Sequence, residues 1–206
     1  MNLDTSQVKA VYLTAEDLKM AASILYKAYH DDPLFQKIFH AQDDGYDSRL
    51  RAAIKEELNA FWQSQQTLFG LFEQERMLAT ACVQVPGHPL ANNRYWHWRM
   101  KMLLTAGWFG TGKWIEKEKA VRDSMPVEVY HMIAFLAVEP GEQQHGLGHM
   151  LLHGLDNLVR DSATSQGIGV FVTLNKFLPF FEHAGYDEVK QITVGDINGY
   201  LLFKPR

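Results

Sequence analysis

The stretch from Tyr130 to Leu152 constrains this chain more than any other: YHMIAFLAV, then EP, then GEQQHGLGHMLL. Its opening run is apolar or aromatic apart from His131, the pattern of a strand covered on both faces. Pro140 and Gly141 end that strand. Gln143, Gly146 and Gly148 follow at the spacing Q-x-x-G-x-G, and an apolar helical pattern starts at once. A helix N-terminus carries unpaired N–H groups and the positive end of the helix dipole, and glycines let an anion approach the backbone. The segment is therefore expected to hold a phosphorylated ligand beside a buried strand. A nucleotide, a dinucleotide and an acyl carrier all satisfy that requirement. Two glycines relieving a tight helix start are the purely structural alternative.

Bulk composition narrows the classes. With 206 residues and 47% hydrophobic content, the chain is expected to be one domain, 1–206, with a sizeable core. A net charge of −4 gives no electrostatic case for nucleic acid or an anionic membrane as partner. No apolar run approaches a membrane span, and the first ten residues lack a basic-then-apolar leader pattern, so a soluble, cytoplasmic protein is expected. Cys82 is the single cysteine, which excludes an internal disulfide, and its alternating surroundings read as a buried strand. No His/Cys/Asp cluster has ligand spacing, so no metal is expected.

In order, Val8–Leu13 reads as a strand, and Thr14 as the N-cap of a helix reaching about His30, with Asp17 at the capping-box position. The run Asp31-Asp32-Pro33 breaks that helix, and Leu34 to Phe39 forms a second short one. Arg49–Gln65 returns to helical spacing. Thr67–Phe72 and Met77–Val85 make a hairpin. A segment at about 87–126 holds four of the five tryptophans (Trp96, Trp98, Trp108, Trp114) and reads as a helical insertion. It carries too many large apolar groups for one helix face, so part must meet a substrate pocket, a partner subunit in a homodimer, or a second core layer. A cap over an acceptor site is the preferred reading. Later come a strand at Gly169–Thr173, a short helix at Phe177–His183, and strands Tyr186–Val194 and Tyr200–Phe203 around an Asn198-Gly199 turn. Strands and helices alternate, giving an α/β (α+β) domain with a mixed sheet.

Two glycine patterns are set aside. The run from Gly107 to Lys113 matches G-x-x-x-x-G-K, but Trp114 stands where a magnesium-binding hydroxyl is needed and an amphipathic helix precedes it. The Q-x-x-G-x-G loop lies late in the chain and lacks the G-x-G-x-x-G order of a dinucleotide fingerprint.

The segment FLAVEPGEQQHGLGHMLL resembles the acetyl-CoA-binding signature of the GCN5-related N-acetyltransferase (GNAT) superfamily, Q/R-x-x-G-x-G/A after a strand ending in valine and proline. ASILYKAYHDDPLFQKIF is similar to the first helix and turn of bacterial members, and NKFLPFFEHAGYDEV to the late asparagine, helix and aromatic close. The tryptophan-rich insertion is similar to that of the puromycin-acetyltransferase-like branch. The resemblance implies a GNAT-type mixed, mostly antiparallel central sheet with helices on both faces. It implies acetyl-CoA as cosubstrate and direct attack on the thioester by a primary amine, preferably of a small molecule. A protein amine, or a degenerate acyl-CoA-binding regulator, is the alternative.

By that resemblance the main chain of Leu136, Ala137 and Val138 pairs with the pantetheine arm. The N–H groups from Gln143 or Gln144 through His145, Gly146, Leu147, Gly148 and His149 hold the pyrophosphate. Asn175 contacts the cofactor arm, and Phe181 stands where relatives carry an acidic tyrosine. A phenyl ring donates no proton, which leaves that role open. For the base, the candidates are His131, Glu128 and Tyr130. Strand alternation puts His131 and Tyr130 on opposite faces, and a structural, hydrogen-bonded role for His131 stands beside the catalytic one.

Overall fold

A computed structural model describes residues 7–87, 112, 115–194 and 197–206. Strand β1 (Val8–Tyr12) leads to helices α1 (Leu18–Tyr29), α2 (Pro33–Ile38) and α3 (Tyr46–Gln63). The hairpin of β2 (Thr67–Glu73) and β3 (Arg76–Gln84) follows, and then β4 (His131–Val138), α4 (Leu147–Asp161) and β5 (Gly167–Val172). Helix α5 (Leu178–His183), β6 (Asp187–Val194) and β7 (Ile197–Pro205) complete the chain. The seven strands form one sheet in the order β1-β2-β3-β4-β5-β7-β6. Only β4 and β5 pair in parallel; the other neighbours are antiparallel. The residue pattern led to a mixed sheet, and the resemblance implied this mostly antiparallel one.

The sheet is covered on both faces. Leu25, Ile38, Leu50, Ile54 and Phe61 from α1–α3 pack one side, against Phe135 and Ala137 of β4. Leu147, Leu151, Leu155 and Val159 of α4 pack the other, with Ile133, Ile168 and Val170. Each helix turns one apolar stripe inward, so a single sheet supports two cores. Cys82 is fully buried, and burial pushes its thiol far above the usual range, as a structural cysteine requires.

Three local readings change. Thr14 does not cap α1: its N–H and hydroxyl both donate to the Asp17 carboxylate at 2.8 Å, and the helix begins at Leu18. Asp32, read as a breaker, is the N-cap of α2, its Oδ1 accepting from the N–H groups of Leu34 and Phe35 at 2.9 and 3.2 Å. Asn198 and Gly199 are not a turn. They lie inside β7, opposite Thr193 and Ile192, and Val194 pairs with Ile197. The glycine answers a packing demand, because a Cβ at Gly199 would stand 2.2 Å from the Phe171 ring.

Most of the tryptophan-rich segment, residues 88–111, 113 and 114, falls outside the described residues, as does its expected capping role. The helical residues 115–124 belong to its described end. Among the described residues, no helix is long and apolar enough to cross a membrane.

Placing a methyl group against Phe171 forces the ring or the strand to move. Gly199→Ala should therefore destabilise the fold by about 1–3 kcal/mol. Urea unfolding would measure it, and adding Phe171→Leu should return part of the loss.

Candidate functional site

The site begins where β4 and β5 part. They pair from His131 with Ile168 to Ile133 with Val170, and no further. At the same point the register of β4 against β3 shifts: Val83 faces Ile133, Cys82 faces Phe135, and Ala134 is the extra residue. A bulge bends its strand and reverses the alternation beyond it. Ile133 accordingly packs with α4, whereas Phe135 packs with α1–α3.

Beyond the bulge, β4 keeps its bonds to β3 but has no strand on its other edge. Glu139 N–H donates to Leu78 at 2.8 Å, and the register runs Ala79–Val138, Thr80–Ala137 and Ala81–Leu136. Bonded and non-bonded pairs alternate in an antiparallel ladder. Ala137 thus bonds to β3, while Leu136 and Val138 turn their N–H and C=O groups into the gap. Side chains meet these groups: the Tyr29 hydroxyl accepts the Leu136 N–H at 3.2 Å and lies 3.4 Å from the Leu136 oxygen, and the Gln143 amide donates to the Val138 carbonyl at 3.5 Å.

The strand runs into a 3₁₀ turn at Pro140–Glu142 that is tied down from two sides. Lys27 of α1 holds Glu139 at 2.6 Å, and Arg76 of β3 holds Glu142 at 2.7 Å. Gln143, Gln144, His145 and Gly146 are exposed. Gln144 and Gly146 have φ of +64° and +80°, so the chain turns left-handed twice before α4. The first helical bond joins Met150 N–H to the Gly146 carbonyl at 3.1 Å, leaving the N–H groups before it directed out of the helix end. A Cβ on Gly148 would come within 3.0 Å of the Phe180 ring, which also stacks edge-on with His149 at 4.9 Å. Phe180, rather than Phe181, is the ring that reaches this helix end. Phe181 is buried in the core, against Phe180 and Tyr186. Asn175 is exposed and opens a 3₁₀ turn after β5.

On the α1–α3 side of the parting lies a cavity of about 150 Å³. Tyr29, Phe35, Tyr130, Phe135 and Phe171 supply rings, and Asp32, Glu57, Glu118, Lys117 and Arg122 supply charge. Thr173 Oγ1 donates to Asp32 Oδ2. Asp32 is only 5% exposed, and burial raises its carboxyl above the ordinary range, against the lowering effect of Thr173 and the two backbone donors. The turn carrying Tyr29 and Asp32 is braced from outside: the Tyr46 hydroxyl donates to the His30 carbonyl at 2.6 Å, and the His30 ring nitrogens meet Asp31 and Asp47 at 2.7 and 3.1 Å.

Of the sequence candidates, the cavity gathers Tyr130 alone. His131 points to the opposite face, is 2% exposed, and lies 2.8 Å from the Ser165 hydroxyl through Nδ1. Burial lowers its imidazole pKa. Glu128 is exposed and does not line the cavity. Sequence reading missed Tyr29, Asp32 and Thr173. An acid directly before a proline that opens a helix was the available signal for Asp32, but it signals a cap as well. Among the described residues, no group of His, Cys, Asp and Glu forms a metal cluster.

No family model matches the sequence, and no curated protein matches it. Solved structures do. A histone acetyltransferase HPA2 and related acetyltransferase from Corynebacterium glutamicum superposes with a TM-score of 0.71 at 16% identity, covering 97% of this chain and 96% of that one. A mosquito arylalkylamine N-acetyltransferase like 5b gives 0.65 at 14% identity, covering 97% and 100%. A PaiA N-acetyltransferase from Thermoplasma acidophilum, in complex with coenzyme A, gives 0.59 at 12% identity, covering 97% and 99%. At these identities the likeness speaks for architecture: the chain has the fold of the GCN5-related N-acetyltransferases.

Proposed function

We propose that this protein is an N-acetyltransferase that moves the acetyl group of acetyl-CoA to a primary amine of a small molecule by direct attack. The observation that carries the reading is the continuity of one surface. The edge of β4 at Leu136 and Val138, which no strand covers, leads through an exposed, left-handed loop to the N-terminus of α4. An extended arm with amide groups fits a bare strand edge, and a pyrophosphate fits the helix end. Acetyl-CoA supplies the activated acetyl group when bound. Leu136, Ala137 and Val138 hold its arm in this reading, and the N–H groups from Gln143 or Gln144 to His149 hold its phosphates. Asn175 and Phe180 flank it, with Phe181 beneath as packing.

The amine enters from the cavity. Aromatic walls and a volume of about 150 Å³ suit a small amine head better than a protein segment. An amine arrives as an ammonium ion, and Asp32, Glu57 and Glu118 against Lys117 and Arg122 give the lining an acidic balance. Asp32 is the base in this proposal. It is buried at the cavity wall, burial raises its pKa, and Oδ2, which accepts from Thr173, retains a lone pair, while Oδ1 is taken up by the two N–H groups of α2. Tyr130 shares the wall, whereas His131 serves the core through Ser165.

Calorimetric titration with acetyl-CoA should show binding, and silence at high micromolar concentration would overturn the reading. A Cβ on Gly146 meets no protein atom within 4 Å, so Gly146→Val should weaken that binding at least tenfold while costing the fold only about 1–3 kcal/mol of backbone strain. Turnover with an amine panel separates the transferase from an acyl-CoA-binding regulator, which would release no coenzyme A. Asparagine keeps the N-cap, so Asp32→Asn should lower kcat by roughly 10²–10⁴ with an unchanged melting temperature. A full rate in that variant moves the base elsewhere.

His131 is tested by pH. Its folded pKa lies below the ordinary 6.5, so the unfolded chain takes up this proton first as pH falls. Its contribution to stability is present above 6.5 and is lost as pH drops through the folded pKa. His30 has the opposite sign, because Asp31 chiefly, with Asp47, raises its pKa. His131→Gln should therefore flatten the acid-side loss of stability in urea titrations at pH 7.5 and about 5.5, leaving the His30 effect in place. An unaltered slope would count against a core role.

A further inference from the structure

Tyr29 is fully placed by its surroundings. Its ring stands edge-on to Phe135 with centroids 5.4 Å apart and tilted against Phe35 at 5.1 Å. Its hydroxyl oxygen accepts the Leu136 N–H at 3.2 Å, and its proton is directed to the Leu136 carbonyl at 3.4 Å. Leu136 turns both groups into the gap left by β5, so the phenol oxygen stands where an acceptor atom of an added strand would stand. Resting on the acetyl-CoA reading above, we propose that Tyr29 is a catalytic hydroxyl: when a thioester carbonyl takes over the Leu136 N–H, the Tyr29 O–H leaves the Leu136 carbonyl and becomes the second donor to that thioester oxygen.

Space at the Leu136 N–H forces the exchange. A carbonyl oxygen bonded to the Leu136 N–H lies about 3 Å from the nitrogen, the separation Tyr29 Oη now holds. Two oxygens do not share that position, so the hydroxyl yields it. Packing on both sides of the ring limits how far it moves, and a shift of one hydrogen-bond length leaves it within donor range of the incoming oxygen. Burial also holds the phenol well above its usual pKa, so the hydroxyl keeps its proton. In the reaction the amine lone pair forms the C–N bond and the carbonyl π pair moves onto oxygen, where Leu136 N–H and Tyr29 O–H meet the charge. That pair returns as the C–S bond breaks, and sulfur leaves with its electrons and takes a proton from solvent. Before the attack the ammonium ion gives one proton to Asp32, which frees the lone pair; the nitrogen of the tetrahedral adduct then gives its second proton to solvent, which returns one to sulfur. Tyr29 thus aids the oxygen and is not the acid toward sulfur for which position 181 has no hydroxyl.

Tyr29→Phe in the full chain keeps the ring and its packing. We expect kcat to fall roughly 100-fold with the amine KM unchanged, the usual cost of one oxyanion donor. A second readout needs no turnover: the infrared stretch of isotope-labelled acetyl-CoA carbonyl should drop on binding wild type and recover part of that drop in Tyr29→Phe. An equal carbonyl shift in both proteins, or a loss confined to the amine KM, overturns the role of Tyr29 and leaves the transferase standing. Wild type that binds no acetyl-CoA removes the proposal together with the reading on which it rests.

Discussion

The molecule depends on a place where its sheet fails to pair. Past Ile133, β4 has β3 on one edge and nothing from β5 on the other, and the bulge at Ala134 stands at that point. An unpaired backbone group buried away from water costs about 1–3 kcal/mol. Here side chains meet the open groups: one phenol from α1 at Leu136, and the Gln143 amide at the Val138 carbonyl. A fully paired sheet would be more stable and would offer no edge for an extended ligand. The flanking anchors have the same purpose: Lys27 with Glu139 and Arg76 with Glu142 keep the strand's exit aimed at the start of α4. Both pairs are partly exposed, so positioning rather than stability is their main contribution.

The bulge also decides which side chains meet. Met132 and Tyr130 face the cavity, whereas His131 and Ile133 face the other way. One extra residue then turns Phe135 toward α1–α3 and sends Leu136 and Val138 to the α4 side. A strict alternation carried through the strand would have put Phe135 with Ile133. The cavity wall thus combines residues from before and after the bulge, and the rings of Tyr29 and Phe35 close over the junction.

This explains what was legible in the sequence. The strand, loop and helix of Tyr130–Leu152 were legible because apolar runs and glycines act through local geometry, and the element order followed from periodicity. The opposite orientations of Tyr130 and His131 followed from simple alternation and hold because both precede the bulge. The bulge itself left no mark, since Ala134 is as apolar as its neighbours and its register is set by pairing with Cys82 and Val83. Asp32 was hidden for a different reason. Its sequence neighbourhood explains it completely as a cap, and only the approach of Thr173, 141 positions later, makes it part of a wall. Asn198-Gly199 misled because a glycine that makes room for Phe171 looks the same as one that makes a turn.

The cavity's electrostatics follow from the same junction. A carboxylate on an open surface keeps an ordinary pKa and makes a weak base toward an ammonium ion. Asp32 is displaced upward by burial, yet Thr173 and the two N–H groups of α2 favour its charged form, so it stays ionisable in a dry setting. The cap and the proposed base are therefore one arrangement: the bonds that start α2 also hold the carboxylate at the cavity wall. His30 and Tyr46 fasten the same turn from outside, which ties the position of Asp32 and Tyr29 to one short connection between α1 and α2. In the proposed function the sheet's parting is the seat for the acyl arm, and that connection carries the groups proposed to act on it.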